Sequence, residues 1–253
     1  MTTTDRVETA RRALACLDLT NLDDDCTDAD IEALCARAQT KHGPVAAVCI
    51  WPRFVSQAKA LLAGTPIRIA TVVNFPGGDK TIEDIIAETD QAMVDGADEI
   101  DMVIPYRWIA DRHNDAAAQL IQVREATHGA TLKAILETGE LKSGDLIREA
   151  STMAIIVGAD FLKTSTGKVP VNATPEAAKI MLSVIADREG KTGFKAAGGI
   201  RTLDDAKIYL DLADEIVGPD WVSPKTFRFG ASGLLDALLA ELEGHVAEPA
   251  KGY

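Results

Sequence analysis

Short apolar, β-rich runs alternate with segments of helical period along the chain. The strand-like runs fall at 17–20, 46–51, 68–74, 99–105, 132–138, 160–165, 193–200 and 228–231. Between them the apolar residues change period. In 145–157, Leu146, Ala150, Met153 and Val157 recur at spacings of four, three and four, which puts them on one helical face. In 80–95, Ile82, Ile85, Ile86 and Met93 do the same. Thr174-Pro175 is a capping residue followed by proline at the first helical position, so a helix starts there. Thr202 ahead of Asp204 and Asp205 marks another start, with acidic residues where the helix dipole favours them.

Strict alternation of strand and helix implies right-handed βαβ units and a parallel sheet. Eight repeats in 253 residues predict a closed (β/α)8 barrel, the TIM-barrel form of the α/β class, rather than an open sheet. The expected organisation is one domain over 1–253, with an N-terminal helical extension over 1–16 and a flexible tail over 244–253. No G-x-G-x-x-G follows the first strand and no Walker loop is present, which speaks against a Rossmann or P-loop fold.

Composition narrows the classes. Apolar residues make up 47% and charged ones 26%, enough material for a core. The formal charge of −13 repels nucleic-acid phosphates and anionic lipid, so neither a nucleic acid nor a membrane is an expected partner. Cys16, Cys26, Cys35 and Cys49 form no C-x-x-C pair and sit in a core-rich chain, so reduced thiols are expected. The N-terminal stretch carries Asp5, Arg6, Glu8, Arg11 and Arg12 without an apolar signal core, and no run approaches a membrane span. A cytosolic location follows as the expectation.

Barrel strands are buried on both faces, so charges inside them are informative. Lys163 lies in Phe161-Leu162-Lys163-Thr164-Ser165-Thr166-Gly167-Lys168, and Lys195 in the next strand, Gly193-Phe194-Lys195-Ala196-Ala197-Gly198-Gly199-Ile200. Asp101 interrupts Glu99-Ile100-Asp101-Met102-Val103. Period-two alternation puts each lysine opposite its apolar neighbour, so two inward lysines on adjacent strands are neighbours in space. Burial and a nearby ammonium both disfavour protonation, and a lysine left as the free amine attacks an aldehyde. Asp101 would hold the second lysine charged and pass protons. The competing reading is a snorkelling lysine pair with a salt-bridged aspartate, and the cost of burying unpaired charge tells against it. Lys133, in Leu132-Lys133-Ala134-Ile135, is either a partner for Asp101 or a rim lysine. Cys49 either faces the interior or is an inert buried thiol. Asp18 and Thr20 either meet a substrate hydroxyl or cap a turn.

A second set suits an anion. Gly198-Gly199 ends the seventh predicted strand, and Gly230-Ala231-Ser232-Gly233 ends the eighth and opens a helix at Leu234. Barrel enzymes grip phosphate in these loops, where N–H groups point into the site. Gly167-Lys168 adds a point charge. Alternatively these glycines serve only tight turns. His42, His113, His128 and His245 are scattered, with no pair at metal-ligand spacing.

These residues bring the chain to a likeness: it resembles the deoxyribose-phosphate aldolases, class I aldolases with a β/α-barrel fold, over almost its whole length. The likeness runs through Leu17-Asp18-Leu19-Thr20, Ala47-Val48-Cys49-Ile50, Asn74-Phe75-Pro76 and Gly96-Ala97-Asp98-Glu99-Ile100-Asp101. Glu137-Thr138-Gly139-Glu140-Leu141, the run from Phe161 to Lys168, and Gly198-Gly199-Ile200-Arg201 complete it. The resemblance implies reversible cleavage of 2-deoxy-D-ribose 5-phosphate to D-glyceraldehyde 3-phosphate and acetaldehyde, in deoxyribonucleoside catabolism. It implies an imine on Lys163, a pKa-lowering role for Lys195, and proton relay by Asp101 with Lys195. Asp18, Thr20 and Thr166 would contact substrate hydroxyls. Lys168, Gly198, Gly199, Ser232 and the Gly233 amide would hold the phosphate, Gly233 standing where some members have a second serine. The family uses no metal or organic cofactor. Its longer members end in a tyrosine matched here by Tyr253, read as a lid or as part of a disordered tail, and it implies a homodimer. Two rival readings keep the barrel: a Schiff-base aldolase for a ketose phosphate, and a non-catalytic sugar-phosphate binder.

Overall fold

The computed structural model describes residues 2–244. Eight strands close a parallel barrel: β1 (Leu17–Asn21), β4 (Ala47–Ile50), β5 (Arg68–Val73), β6 (Glu99–Val103), β7 (Thr131–Ile135), β8 (Phe161–Lys163), β9 (Gly193–Ala197) and β10 (Phe227–Ala231). Each pairs with its successor, and β10 returns to β1. The predicted (β/α)8 barrel is therefore the observed fold. Between β1 and β4 sits a short antiparallel ribbon, β2 (Gln39–Thr40) with β3 (Gly43–Pro44). Two residues per strand are too few to leave an alternation pattern, and the ribbon was not expected.

The helices follow the predicted pattern. They are α1 (Thr3–Ala15), α2 (Asp28–Arg37), α3 (Val55–Leu61), α4 (Ile82–Asp95), α5 (His113–Ala126), α6 (Thr138–Leu141), α7 (Gly144–Val157), α8 (Pro175–Ala186), α9 (Leu203–Ile216) and α10 (Leu234–Glu243). Thr174 caps α8 with Pro175 at its first position, and Thr202 with Asp205 forms a capping box on α9. The N-terminal helix α1 opens with a Thr2–Asp5 capping box. Arg6, bonded to Glu241, and Arg12, 2.6 Å from Asp214, fasten it to α10 and α9. Among the described residues no helix is long and apolar enough to cross a membrane.

Two details differ from the periodicity. On α7 the buried line is Ile147, Ala150, Ser151, Met153 and Ala154, with Leu146 and Val157 half-buried at its margins. On α4 it is Ile85, Thr89 and Ala92, flanked by Ile82, Ile86 and Met93. Small side chains lie on the contact line because they let a helix approach the barrel at native packing density, while larger ones fill the flanking grooves. The predicted strands also run too far at their C-terminal ends, to 105, 138, 165 and 200 where pairing stops at 103, 135, 163 and 197. Those overruns are the loops at the barrel mouth, whose buried residues keep a strand-like composition.

Alternation sorts the strands into two cores. Leu17, Leu19, Ile100, Met102, Leu132, Leu162, Phe194, Phe227 and Phe229 belong to the apolar core shared with the helices. The opposite face of the same strands carries Asp18, Glu99, Asp101, Lys133, Lys163, Lys195 and Arg228 into the barrel interior. This protein's barrel interior carries a cluster of ions.

Candidate active site

Strand register explains why the charges meet. Lys163 of β8 pairs directly with Lys195 of β9, Lys195 with Arg228 of β10, and Asp101 of β6 with Lys133 of β7. Residues in register on a parallel sheet project to the same side, so the inward charges of β6 to β10 stand together, with the uncharged Cys49, Ala70 and Val72 facing them from β4 and β5. Asp101 lies at the centre. Its Oδ2 accepts hydrogen bonds from Lys163 Nζ at 2.7 Å and Lys195 Nζ at 2.8 Å, and its Oδ1 accepts one from Lys133 Nζ at 2.7 Å. Lys133 also reaches Glu99 at 2.6 Å, and Lys195 reaches Asp18 at 2.6 Å. The Arg228 guanidinium spans Asp18 at 2.6 Å and both oxygens of Glu99 at 2.8 and 3.1 Å.

These contacts treat the lysines differently. Burial favours the neutral amine in all of them. For Lys195 it is outweighed by Asp101 and Asp18, which hold the ammonium firmly charged. For Lys133 it is outweighed by Asp101 and Glu99. Lys163 has one carboxylate oxygen, shared with Lys195. There burial leads, Asp101 opposes it, Lys195 reinforces it, and the pKa falls below its usual value. Burial works against ionisation of Asp101 too, yet Lys133, Lys163 and Lys195 hold its pKa well below the ordinary carboxylate range. Lys163 is therefore the amine readiest to lose its proton.

Lys163 also lines a cleft. The cleft opens at the C-terminal ends of the strands and is walled by Thr20, Lys163, Thr166, Gly198, Gly199 and Ser232 among others. Gly198 and Gly199 both have φ of +84°, and a Cβ on Gly198 would stand 2.6 Å from that of Asn172. Two successive left-handed glycines bring bare backbone to the wall, as an anion-binding loop requires.

Several expected residues lie elsewhere. Asp18 does not reach the cleft: it is wholly buried, and its two oxygens are engaged by Lys195 and Arg228. Its inward position on β1 places it in the ion network. Lys133 is no rim lysine, since it is completely buried against Asp101. Cys49 faces the interior, 4.0 Å from Asp101 Oδ2, and is buried away from the cleft, where burial pushes its thiol pKa up. Lys168 Nζ is 3.8 Å from the exposed Asp24, while its backbone N–H donates to Thr166 Oγ1 at 3.0 Å. Gly233 is behind the wall as the N-cap residue of α10. Tyr253 lies outside the described residues.

Three residues of the site were not singled out from sequence. Glu99 and Arg228 are inward charges in strands, visible to the same test that found Lys163. Glu137 follows β7 in a left-handed conformation, φ 54°, and is fully buried. Its carboxylate accepts from the Thr166 hydroxyl at 2.5 Å and from the Thr166 N–H at 3.2 Å. Burial raises its pKa against the opposing effect of these bonds. It had looked like a strand-end residue, because only the turn directs it at Thr166.

Fold and site together define a β/α-barrel aldolase of the lysine type, in which a buried amine with a weakened hold on its proton faces the barrel mouth. The chain belongs to the DeoC/LacD family of aldolases, whose model matches residues 12–239. It is 57% identical over 247 residues to a deoxyribose-phosphate aldolase of Agrobacterium fabrum, covering 96% of this chain and 95% of the relative. A candidate deoxyribose-phosphate aldolase from Coccidioides immitis superposes with a TM-score of 0.80 at 32% identity, over 91% of this chain and 85% of its own. One from Toxoplasma gondii gives 0.87 at 27% identity, over 96% and 97%.

Proposed function

We propose that this chain is a class I aldolase that reversibly cleaves 2-deoxy-D-ribose 5-phosphate to D-glyceraldehyde 3-phosphate and acetaldehyde. The observation that carries the proposal is Lys163 Nζ at the cleft, sharing one oxygen of Asp101 with Lys195. In the synthetic direction the Lys163 amine adds to acetaldehyde, and loss of water gives an iminium. Removal of a proton from the adjacent methyl carbon leaves an enamine. That carbon attacks the aldehyde of glyceraldehyde 3-phosphate, the new alkoxide takes a proton, and water releases the sugar from Lys163. Asp101, bonded to both lysines, is placed to receive and return these protons, with Lys195 as the charged donor beside it. Thr20 and Thr166 contact the substrate hydroxyls, and the Gly198–Gly199 amides with Ser232 hold the phosphate. Lys168 joins them when its side chain leaves Asp24, and the Gly233 amide adds the N-terminus of α10.

Phosphorylated sugars are the substrate class of such an aldolase, and none of its steps calls on a metal or an organic cofactor. The reading further includes a cytosolic location, a role in deoxyribonucleoside breakdown, a homodimeric assembly, one domain over 1–253, and a lid role for Tyr253. The family likeness supports these. The test of the central claim is borohydride reduction with acetaldehyde, followed by peptide mapping. One adduct at Lys163 is expected. No adduct, or one at another lysine, overturns the reading. Turnover of a ketose phosphate with none of deoxyribose 5-phosphate would change the substrate but keep the Schiff base. Full ligand binding in Lys163→Ala, with no turnover by the unaltered chain, would leave only a binding protein.

A further inference from the structure

The interior holds more charge than the reaction at Lys163 calls for, and its bookkeeping is informative. Three carboxylates (Asp18, Glu99, Asp101) face four cations (Lys133, Lys163, Lys195, Arg228) in one contiguous network of contacts. Lys133 touches Glu99 and Asp101, Lys195 touches Asp18 and Asp101, and Arg228 touches Asp18 and Glu99. Each of these three cations has at least two carboxylate partners, Lys133 lying also 3.7 Å from Asp18, and Lys163 has one. The network is electrically balanced when Lys163 is neutral and carries one surplus charge when it is protonated. A buried surplus charge is costly, so the proton given up is that of Lys163.

We propose that Glu99 and Arg228, which do not line the cleft, are positioning residues that fix the charge of this network and thereby the protonation of Lys163. Both are almost entirely buried. Neither touches Lys163; they act through Lys133, Asp18 and Asp101. Arg228 suits the task because a guanidinium stays charged and can bridge two carboxylates at once. The other groups around Lys163 do not alter the balance among variants. The Cys49 thiol on β4 is held protonated by burial, β5 offers only Ala70 and Val72 inward, and Glu137 after β7, which feels the charge of Lys163 but bonds Thr166, is the same in every variant.

The inference rests on Lys163 being the Schiff-base lysine, and the same experiment separates the two claims. Acetaldehyde is trapped on Lys163 with cyanoborohydride across a pH series, and the midpoint of adduct formation is read from the Lys163 peptide. A unit charge acting over roughly 10–15 Å at an effective dielectric of about 20 shifts a midpoint by about one pH unit. Glu99→Gln leaves Lys163 facing excess positive charge and lowers the midpoint by about one unit. Arg228→Met leaves excess negative charge and raises it by about the same. The double variant restores the balance and the wild-type midpoint, a rescue that a merely structural role does not produce.

Folding is checked for each by circular dichroism. Arg228→Met strands two carboxylates, and if it fails to fold, the Glu99→Gln shift and an unchanged midpoint in Arg228→Lys decide the matter. Absence of any Lys163 adduct in the wild type sinks the aldolase reading. Wild-type adduct with unmoved midpoints, or single variants shifting in the same direction, overturns the charge-balance inference alone.

Discussion

Replacing Lys195 by leucine gives the most direct measure of how the site frees its amine. Lys163 and Lys195 bond the same oxygen of Asp101 at 2.7 and 2.8 Å, so their nitrogens are no more than about 5.5 Å apart. At an effective dielectric near 20, unit charges at that separation repel by about 3 kcal/mol, or roughly two pKa units. Losing Lys195 also leaves the inner oxygen of Asp101 to Lys163 alone, which pushes in the same direction. Lys195→Leu should therefore raise the pKa of Lys163 by about two units or more. At neutral pH the free-amine fraction, and kcat/KM with it, falls roughly a hundredfold. Because the lost species is the deprotonated lysine, the rate must recover as pH rises through the new pKa. The assay is release of glyceraldehyde 3-phosphate from deoxyribose 5-phosphate across neutral and alkaline pH. Asp18 keeps Arg228 and Asp101 keeps Lys133, so no carboxylate is stranded. A rate loss that is uniform across pH, with the acidic limb unmoved, would refute the electrostatic argument and leave Lys195 only a proton-transfer role.

Other outcomes follow from single contacts. Glu137→Ala frees the Thr166 hydroxyl and N–H, and should raise KM for the sugar phosphate while costing about 1–3 kcal/mol in denaturant melts; unchanged KM would remove Glu137 from the site. Gly198→Ala combines an unfavourable positive φ with a collision against Asn172, and should weaken binding of inorganic phosphate by calorimetry while leaving the Lys163 adduct intact. The carboxyls of Asp18 and Asp101 are both held below their ordinary value of 3.8, against burial, by Arg228, Lys195 and Lys133 in the first case and by the three lysines in the second. Their stabilisation is fully present above that pH and is lost as pH falls towards the depressed values. Asp101→Asn should flatten the loss of stability with acid below about pH 4, and an unaltered acid profile would contradict the pairing.

The one-dimensional pattern settled a good deal of this protein. Eight apolar runs separated by amphipathic segments left few alternatives to a closed barrel, since a strand buried on both faces tolerates charge only where the interior pairs it. That is why Lys163, Lys195 and Asp101 stood out before any coordinates, and why Thr174 and Thr202 could be read as helix starts from local chemistry alone. The partners of those charges were another matter. Asp18 looked like a ligand for a substrate hydroxyl, and only closure of β10 onto β1 delivers Arg228 to it from 210 positions away. Glu137 acquires its aim from a left-handed turn, and Lys168 meets Asp24 across the loops, neither of which leaves a periodic trace. Alternation dictates which way a side chain faces. Strand register and barrel closure decide what it meets there, and proton affinity depends on what is met.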